Sequence, residues 1–164
     1  MATDAKEQQL SGATVQVVSF ALGSEEYGVD IAQVQEINRM VAITHVPRAP
    51  HFMEGVINLR GQLIPIIDLR TRFGMPRAEH TKHTRIVVTE IGSKRVGMVV
   101  DSVSEVLRIP VEQVEDAPEM IAQVETEYIR GVGKLGDRLI ILLDLQKIIT
   151  THEKRQLEGV SIDS

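Results

Sequence analysis

The chain repeats itself, and this constrains its fold more than any other feature. Leu22-Gly23-Ser24-Glu25-Glu26-Tyr27-Gly28 is matched by Ile91-Gly92-Ser93-Lys94-Arg95-Val96-Gly97. Val34-Gln35-Glu36-Ile37 is matched by Val103-Ser104-Glu105-Val106. The stretch from Gly55 to Leu69 is matched by the one from Gly131 to Leu145; both open on Gly-Val and close on Asp-Leu. The matches fall in the same order at nearly the same spacing, so chance is a poor explanation. Each copy is about 70 residues, close to the size at which a lone core becomes marginal. Two such units gain by packing together. The pattern therefore predicts a shared apolar seam and a groove where the copies meet, and such grooves are common binding sites.

The elements read as short strands. Aromatic residues make up 3% of the 164 and there is no Trp, so the core is built from Val, Ile and Leu, which favour strands. Thr14 to Leu22 reads as a strand that turns at Gly23-Ser24 and returns through Tyr27-Gly28-Val29. Asp30 caps a short helical stretch in which Ile31, Val34 and Ile37 share one face. Met40 to Val46 is apolar and β-branched and stops at Pro47. Val56 to Leu59 bends tightly at Arg60-Gly61 and returns over Leu63 to Leu69. Pro65 within that return marks an edge strand or a bulge. Arg70 to Thr84 is a polar connector, and a second block opens at Arg85. Several short strands with turn signals fit closed or nearly closed barrels. The chain divides into a flexible start (1–13), a two-unit domain (14–150, with units of 14–84 and 85–150) and a charged tail (151–164) that forms a helix fraying at its end.

Composition excludes several functions. Asp and Glu number 23 against 18 Lys and Arg, a net charge of −5, the wrong sign for a general nucleic-acid binder. Without Cys there are no disulfides, thiolate metal sites or cysteine nucleophiles. Residues 1–12 are polar and lack the apolar core of a secretory signal. The longest purely apolar run, Leu139 to Leu143, is strand-sized. A cytoplasmic protein is the simplest expectation.

Catalytic motifs are missing: no Gly-x-Ser-x-Gly, His-Glu-x-x-His or phosphate-binding loop occurs. His80 and His83 have metal-ligand spacing but lack a third and fourth ligand nearby, so they read as solvated loop residues. Asp68 and Asp144 are repeat equivalents, better explained as caps than as an acid–base pair. Glu36 and Glu105 are also equivalents and read as surface charges. Val34, Ile37, Val103 and Val106 read mostly as core. Arg60 differs, because it sits on a tight bend and its equivalent is Gly136. A charge present in one copy only is less easily explained as barrel architecture, so Arg60 reads either as an exposed hairpin residue or as an arginine presented at an interface, where arginines serve as anchors.

These residues carry a resemblance. Tyr27-Gly28-Val29-Asp30-Ile31-x-x-Val34-Gln35-Glu36-Ile37 is followed by Pro47-x-x-Pro50-x-Phe52-x-x-Gly55-Val56-Ile57-Asn58-Leu59-Arg60-Gly61 and Ile64-Pro65-Ile66-Ile67-Asp68-Leu69-Arg70-x-x-Phe73-Gly74. The second half adds Gly97-x-Val99-Val100-Asp101-x-Val103-x-Glu105-Val106 and Tyr128-Ile129-x-Gly131-Val132-x-x-Leu135-Gly136-Asp137-Arg138. From about Val15 to Ile149 the chain resembles the CheW family, the coupling proteins of bacterial chemotaxis.

The resemblance implies a mainly β fold: two pseudo-symmetric, intertwined, five-stranded SH3-like barrels with short helices and a C-terminal helix. It implies no enzymatic activity, metal or cofactor. It implies a monomer when isolated, with two partners: the regulatory domain of the histidine kinase CheA and the cytoplasmic tips of chemoreceptors. Val34, Glu36, Arg60 and Val106 fall at receptor-side positions, and Gly55 and Leu63 at kinase-side positions. The same fold occurs inside CheA and CheV, but 164 residues leave no room for a kinase or receiver domain. The competing expectation from another class is a small β-barrel enzyme or ligand-binding protein working from the groove with Arg60, His51 and an Asp.

Overall fold

In a computed structural model the described residues are 13–116 and 128–149, with Glu153 and Gln156 beyond them. The hairpin turns at Gly23-Ser24 and Gly92-Ser93 organise the rest. The first joins β1 (Thr14–Leu22) to β2 (Glu25–Asp30), and the second joins β6 (Arg85–Ile91) to β7 (Lys94–Val100). The remaining strands are β3 (Val34–Arg39), β4 (Met53–Leu59), β5 (Gln62–Asp68), β8 (Ser102–Pro110), β9 (Val114–Glu115), β10 (Ile129–Leu135) and β11 (Arg138–Leu143). Two single-turn helices follow the paired hairpins: α1 (Leu69–Arg72) and α2 (Leu145–Ile148). Asp68 and Asp144 do cap them, Oδ1 accepting from the Arg70 and Gln146 backbone N–H groups at 3.0 and 3.1 Å.

The chain forms two sheets, ordered β8-β1-β2-β11-β10-β9 and β3-β6-β7-β5-β4. Each curls so that its edge strands are linked in sequence, β8 to β9 by a 3-10 turn over Val111–Gln113 and β3 to β4 by residues 40–52. The sixth strand of the first sheet is the two-residue β9. Its counterpart in the second is a lone bridge, Thr44 to Val56.

The sheets do not divide the chain at 84/85. The first takes β1 and β2 from the leading copy and β8 to β11 from the trailing one, and the second takes β3 to β5 and β6 to β7. The repeat is legible along the chain, but the hairpins are exchanged between copies, which intertwines the barrels. Symmetry nonetheless holds to single residues. The ladder irregularities at Val34/Glu36 and Met53/Gly55 recur at Ser19/Phe20 and Ile129/Gly131. Gly28 and Gly97 are equivalent, each beside a parallel neighbour strand. A Cβ on Gly28 would lie 3.0 Å from Val17 Cγ2, and one on Gly97 would lie 2.6 Å from Ile66 Cδ1, so both barrels place glycine where strands close in, most tightly at Gly97.

Alternation along the strands fills three cores. On β11, Ile140 and Leu142 pack inside the six-stranded barrel while Ile141 and Leu143 turn to the seam. On β7, Val99 packs inside the five-stranded barrel while Val96, Met98 and Val100 face the seam. Strands buried on both faces read as continuous aliphatic runs, hence the composition. All five Phe and Tyr residues gather at the seam. Tyr27 stands between Phe20 (ring centroids 5.8 Å apart) and Phe73 (5.9 Å), and Phe73 packs on Tyr128 at 5.8 Å. The Arg72 guanidinium lies 5.8 Å from the ring centroids of both Phe52 and Tyr128, and it pairs with Glu153 at 2.7 Å. Glu153 and Gln156, both helical, are the described part of the expected C-terminal helix; the rest of that tail and residues 1–12 lie outside the described residues.

Two local readings change. The helical stretch after Asp30 is one 3-10 turn, Ile31–Gln33, and the chain is extended from Val34 onward. On β3, Val34, Glu36 and Asn38 face inward while Ile37 faces out, so Ile37 does not share a face with Val34. A three-residue apolar spacing over so short a run does not separate helix from strand. Pro65 lies on an interior strand rather than an edge. It is tolerated because β5 begins to pair with β7 only at Ile66.

One ion pair across the seam sets an acid limit. Asp101 accepts from Arg70 Nε (2.8 Å), from Arg70 Nη2 (2.7 Å) and from the Gly23 backbone N–H (2.8 Å). The Arg70 bonds hold the Asp101 carboxyl below the ordinary aspartate value despite its partial burial. A depressed folded value means that this stabilisation is complete above an ordinary pKa of about 4 and is lost as pH falls through the lower folded value. Asp101→Asn is expected to lower Tm at neutral pH and to flatten the fall in Tm below about pH 4. Thermal melts across pH check both.

Candidate functional site

The bend after β4 puts Arg60 where glycine is favoured. Arg60 has φ 51° and Gly61 φ 88°, and Asn58 Oδ1 accepts the Gly61 N–H at 2.8 Å. Among the described non-glycine residues only Arg48 shares a positive φ. The second barrel builds the same bend with Gly136, φ 58°. A side chain held in this region costs energy that glycine avoids, and such strain clusters at functional sites.

Arg60 closes the mouth of the five-stranded barrel. Its Nη2 donates to Glu36 Oε1 at 2.5 Å and its Nη1 to Glu36 Oε2 at 3.3 Å, tying the β4–β5 turn to β3 at the opposite edge. The same carboxylate lies 3.5 Å from Arg95 Nη2 on β7. Arg95 Nε also donates to Gln35 Oε1 at 2.6 Å, and its Nη1 to Gln62 Oε1. The Arg60 hydrogen bonds hold the Glu36 carboxyl below its ordinary range. Glu36 is thus ionised and fixed, while Arg60 keeps 68% of its side chain exposed. This bidentate pair fixes Arg60 in place and still presents it to a partner.

The structure places the other expected residues as follows. Val34 is half-buried on β3 against the seam core. Val106 stands on β8 of the other sheet, 51% exposed, and its repeat equivalent Ile37 is 42% exposed. The core reading therefore holds for Val34 and Val103, which pack on the seam, and fails for Ile37 and Val106, which face solvent. Leu63 is 36% exposed beside Arg95 and Lys94. Gly55 is buried. A Cβ there would lie 2.3 Å from the Thr44 carbonyl oxygen, so the glycine is required by the Thr44 bridge. Arg95 and Ile37 were missed in the sequence. Strand pairing, not chain spacing, brings Arg95 to Glu36, and Ile37 looked like one turn of helix.

The two barrel mouths lie at repeat-equivalent positions and carry opposite charge. One hollow is lined by Gln62, Leu63, Lys94 and Arg95 among others. Its equivalent is lined by Glu25, Glu26, Asp137 and Leu139, and Leu139 is 52% exposed. There Arg138 pairs with Glu26 at 2.5 Å and Glu105 at 3.4 Å. Each end offers an exposed leucine ringed by charge, positive at one and negative at the other.

Among the described residues, His51 and Arg60 do not come together. His51 lies before β4 with its ring edge on Phe52, 6.2 Å between centroids, and shares no hydrogen bond with Arg60 among the described residues. His80 and His83 are exposed, and no group of three or more metal-ligating side chains occurs among the described residues. No helix among them is long and apolar enough to cross a membrane.

A rigid, twofold-repeated β scaffold with a fixed surface arginine and charged leucine mouths defines a docking protein. Comparison with known proteins agrees. The CheW-like domain family matches residues 16–153. The chain is 41% identical over 163 residues to the chemotaxis protein CheW of Klebsiella aerogenes, covering 98% of both. It is 31% identical over 138 residues to Protein FrzA of Myxococcus xanthus, covering 83% of this chain and 86% of that one. The crystal structure of the scaffolding protein TtCheW from Thermoanaerobacter tengcongensis matches with a TM-score of 0.78 at 37% identity, over 86% of this chain and 96% of that one. The chain belongs to the CheW-like family, and it is a chemotaxis scaffold.

Proposed function

We propose that the chain joins the cytoplasmic tip of a chemoreceptor to the regulatory domain of a CheA-type histidine kinase, acting in the cytoplasm and catalysing no reaction itself. The observation that carries this reading is Arg60, held in a glycine conformation by Glu36 yet open to solvent. A helical receptor tip fits here by the helix-in-groove mode. Val34 and Val106 supply apolar contact, and Arg60 supplies a directed charge.

The kinase domain takes the mouth at Leu63, with Gly55 shaping the strand behind it. Holding both partners raises their effective concentration. A receptor signal reaches the kinase through the scaffold only if the scaffold binds the kinase's states with different affinity.

The two faces are separable by substitution. Leu63→Glu is expected to weaken binding of the kinase regulatory domain by about tenfold or more and leave receptor binding unchanged. Calorimetry with each isolated partner tests this. Loss of both affinities, or of neither, would count against two distinct faces.

A further inference from the structure

A second charged feature lies at the end of β3 and shares no residue with the Glu36–Arg60 cluster. A cavity of about 530 Å³ is lined by Arg39, Met40, Thr81, Lys82, His83, Thr84 and Arg85. Two arginines, a lysine and a histidine converge there, and no carboxylate lines it. This is a local excess of positive charge in a chain of net charge −5.

The two arginines are directly opposite each other, Arg39 pairing with Arg85 in the β3–β6 ladder. Like charges facing across strands destabilise a sheet. The barrel does not require this: at the equivalent ladder position of the other sheet, Arg108 faces Gln16. Neither arginine side chain has an ion-pair partner among the described residues, and the Arg39 side chain has no hydrogen bond there either.

The loop that carries the other donors is prearranged. Thr84 Oγ1 accepts the Thr81 N–H at 2.8 Å, and Thr81 Oγ1 accepts the His83 N–H at 3.0 Å. Arg85 Nη1 donates to the Lys82 and Thr84 carbonyl oxygens, both at 2.9 Å. That anchors the guanidinium by one nitrogen and leaves Nε and Nη2 for a ligand. Two opposed arginines without a carboxylate partner, one of them anchored at a concave site beside a lysine, suit a ligand carrying several negatively charged oxygens.

We propose that this cavity binds a phosphate-bearing small molecule with two or more negative charges. The anion lies between Arg39 and Arg85, with Lys82 closing over it, and it offsets the repulsion between the two arginines.

The test is calorimetry on the full chain with pyrophosphate, with metal-free ATP and with adenosine. Pyrophosphate and ATP are expected to bind and adenosine is not. Equal affinity for the two means that the phosphates alone are read, whereas tighter ATP means that the nucleoside is also held; either supports the site. Arg39→Gln and Arg85→Gln should each weaken binding about tenfold, as loss of a charge-assisted contact does. Arg108→Gln, the matched change in the other barrel, should leave it unchanged. Without ligand, Arg39→Gln should raise Tm by about 1–3 °C as the like-charge pair is removed. The proposal is overturned if neither phosphate compound binds at millimolar concentration, or if the folded Arg39→Gln/Arg85→Gln double variant binds them as the natural chain does.

Discussion

Arg60→Glu is expected to lower affinity for a receptor-tip fragment about 100-fold while leaving the circular dichroism spectrum and Tm unchanged. The size follows from two effects in one direction. The substitution removes the proposed interface anchor and puts a like charge beside any carboxylate on the partner that Arg60 would meet. It also sets two carboxylates against each other at Glu36, so the turn loses its tie to β3. Stability changes little because the residue is exposed and the barrel is held by its ladders.

Arg60→Gly separates strain from function. Glycine suits φ 51°, so Tm holds or rises slightly while receptor binding falls. The double exchange Glu36→Arg with Arg60→Glu restores an ion pair of reversed polarity. If the cation itself contacts the receptor, binding stays weak. If the ion pair merely shapes the turn, binding returns. Unchanged affinity in Arg60→Glu would remove this face from the account.

Tyr27→Ala is expected to cost about 3–5 kcal/mol, a fall in Tm of about 10 °C or more. Tyr27 is fully buried at the seam, stacked on Phe20 and tilted against Phe73, and its hydroxyl donates to Glu25 at 2.9 Å. It belongs to a cluster that joins both sheets, so its truncation leaves a cavity between barrels rather than inside one. Tyr27→Phe keeps the ring and loses only the hydrogen bond, for about 1 kcal/mol. Leu139→Ala, at an exposed position, should move Tm little. Differential scanning calorimetry of the three variants checks the order. A small Tyr27→Ala effect would mean that the barrels are stable without their seam.

The repeat made much of this fold readable. Gly28 and Gly97, Asp68 and Asp144, and the Gly23 and Gly92 turns mark equivalent places, and the structure puts them in equivalent surroundings. A shared seam also followed from copies too small to stand alone. The exchange of hairpins between copies was not readable, because a parallel pairing such as β11 with β2 joins residues far apart in the chain and leaves no local signal. Arg60 stood out as a charge missing from the second copy. Its partner Glu36 was singled out only by the family resemblance, since Glu105 repeats it and the two equivalents read as ordinary surface charges. The opposed mouths did not stand out: they appear only when strand pairing gathers Lys94, Arg95 and Leu63 at one end and Glu25, Glu26 and Leu139 at the other.

A scaffold must hold two partners at once, and this can be measured directly. The kinase regulatory domain is mixed with sedimentable assemblies of receptor tips, with and without the chain. The account predicts that the kinase domain pellets only when the chain is present, and that either Arg60→Glu or Leu63→Glu returns it to the supernatant. If the natural chain binds each partner separately but never carries the kinase domain into the pellet, the two faces exclude each other and the coupling role is contradicted.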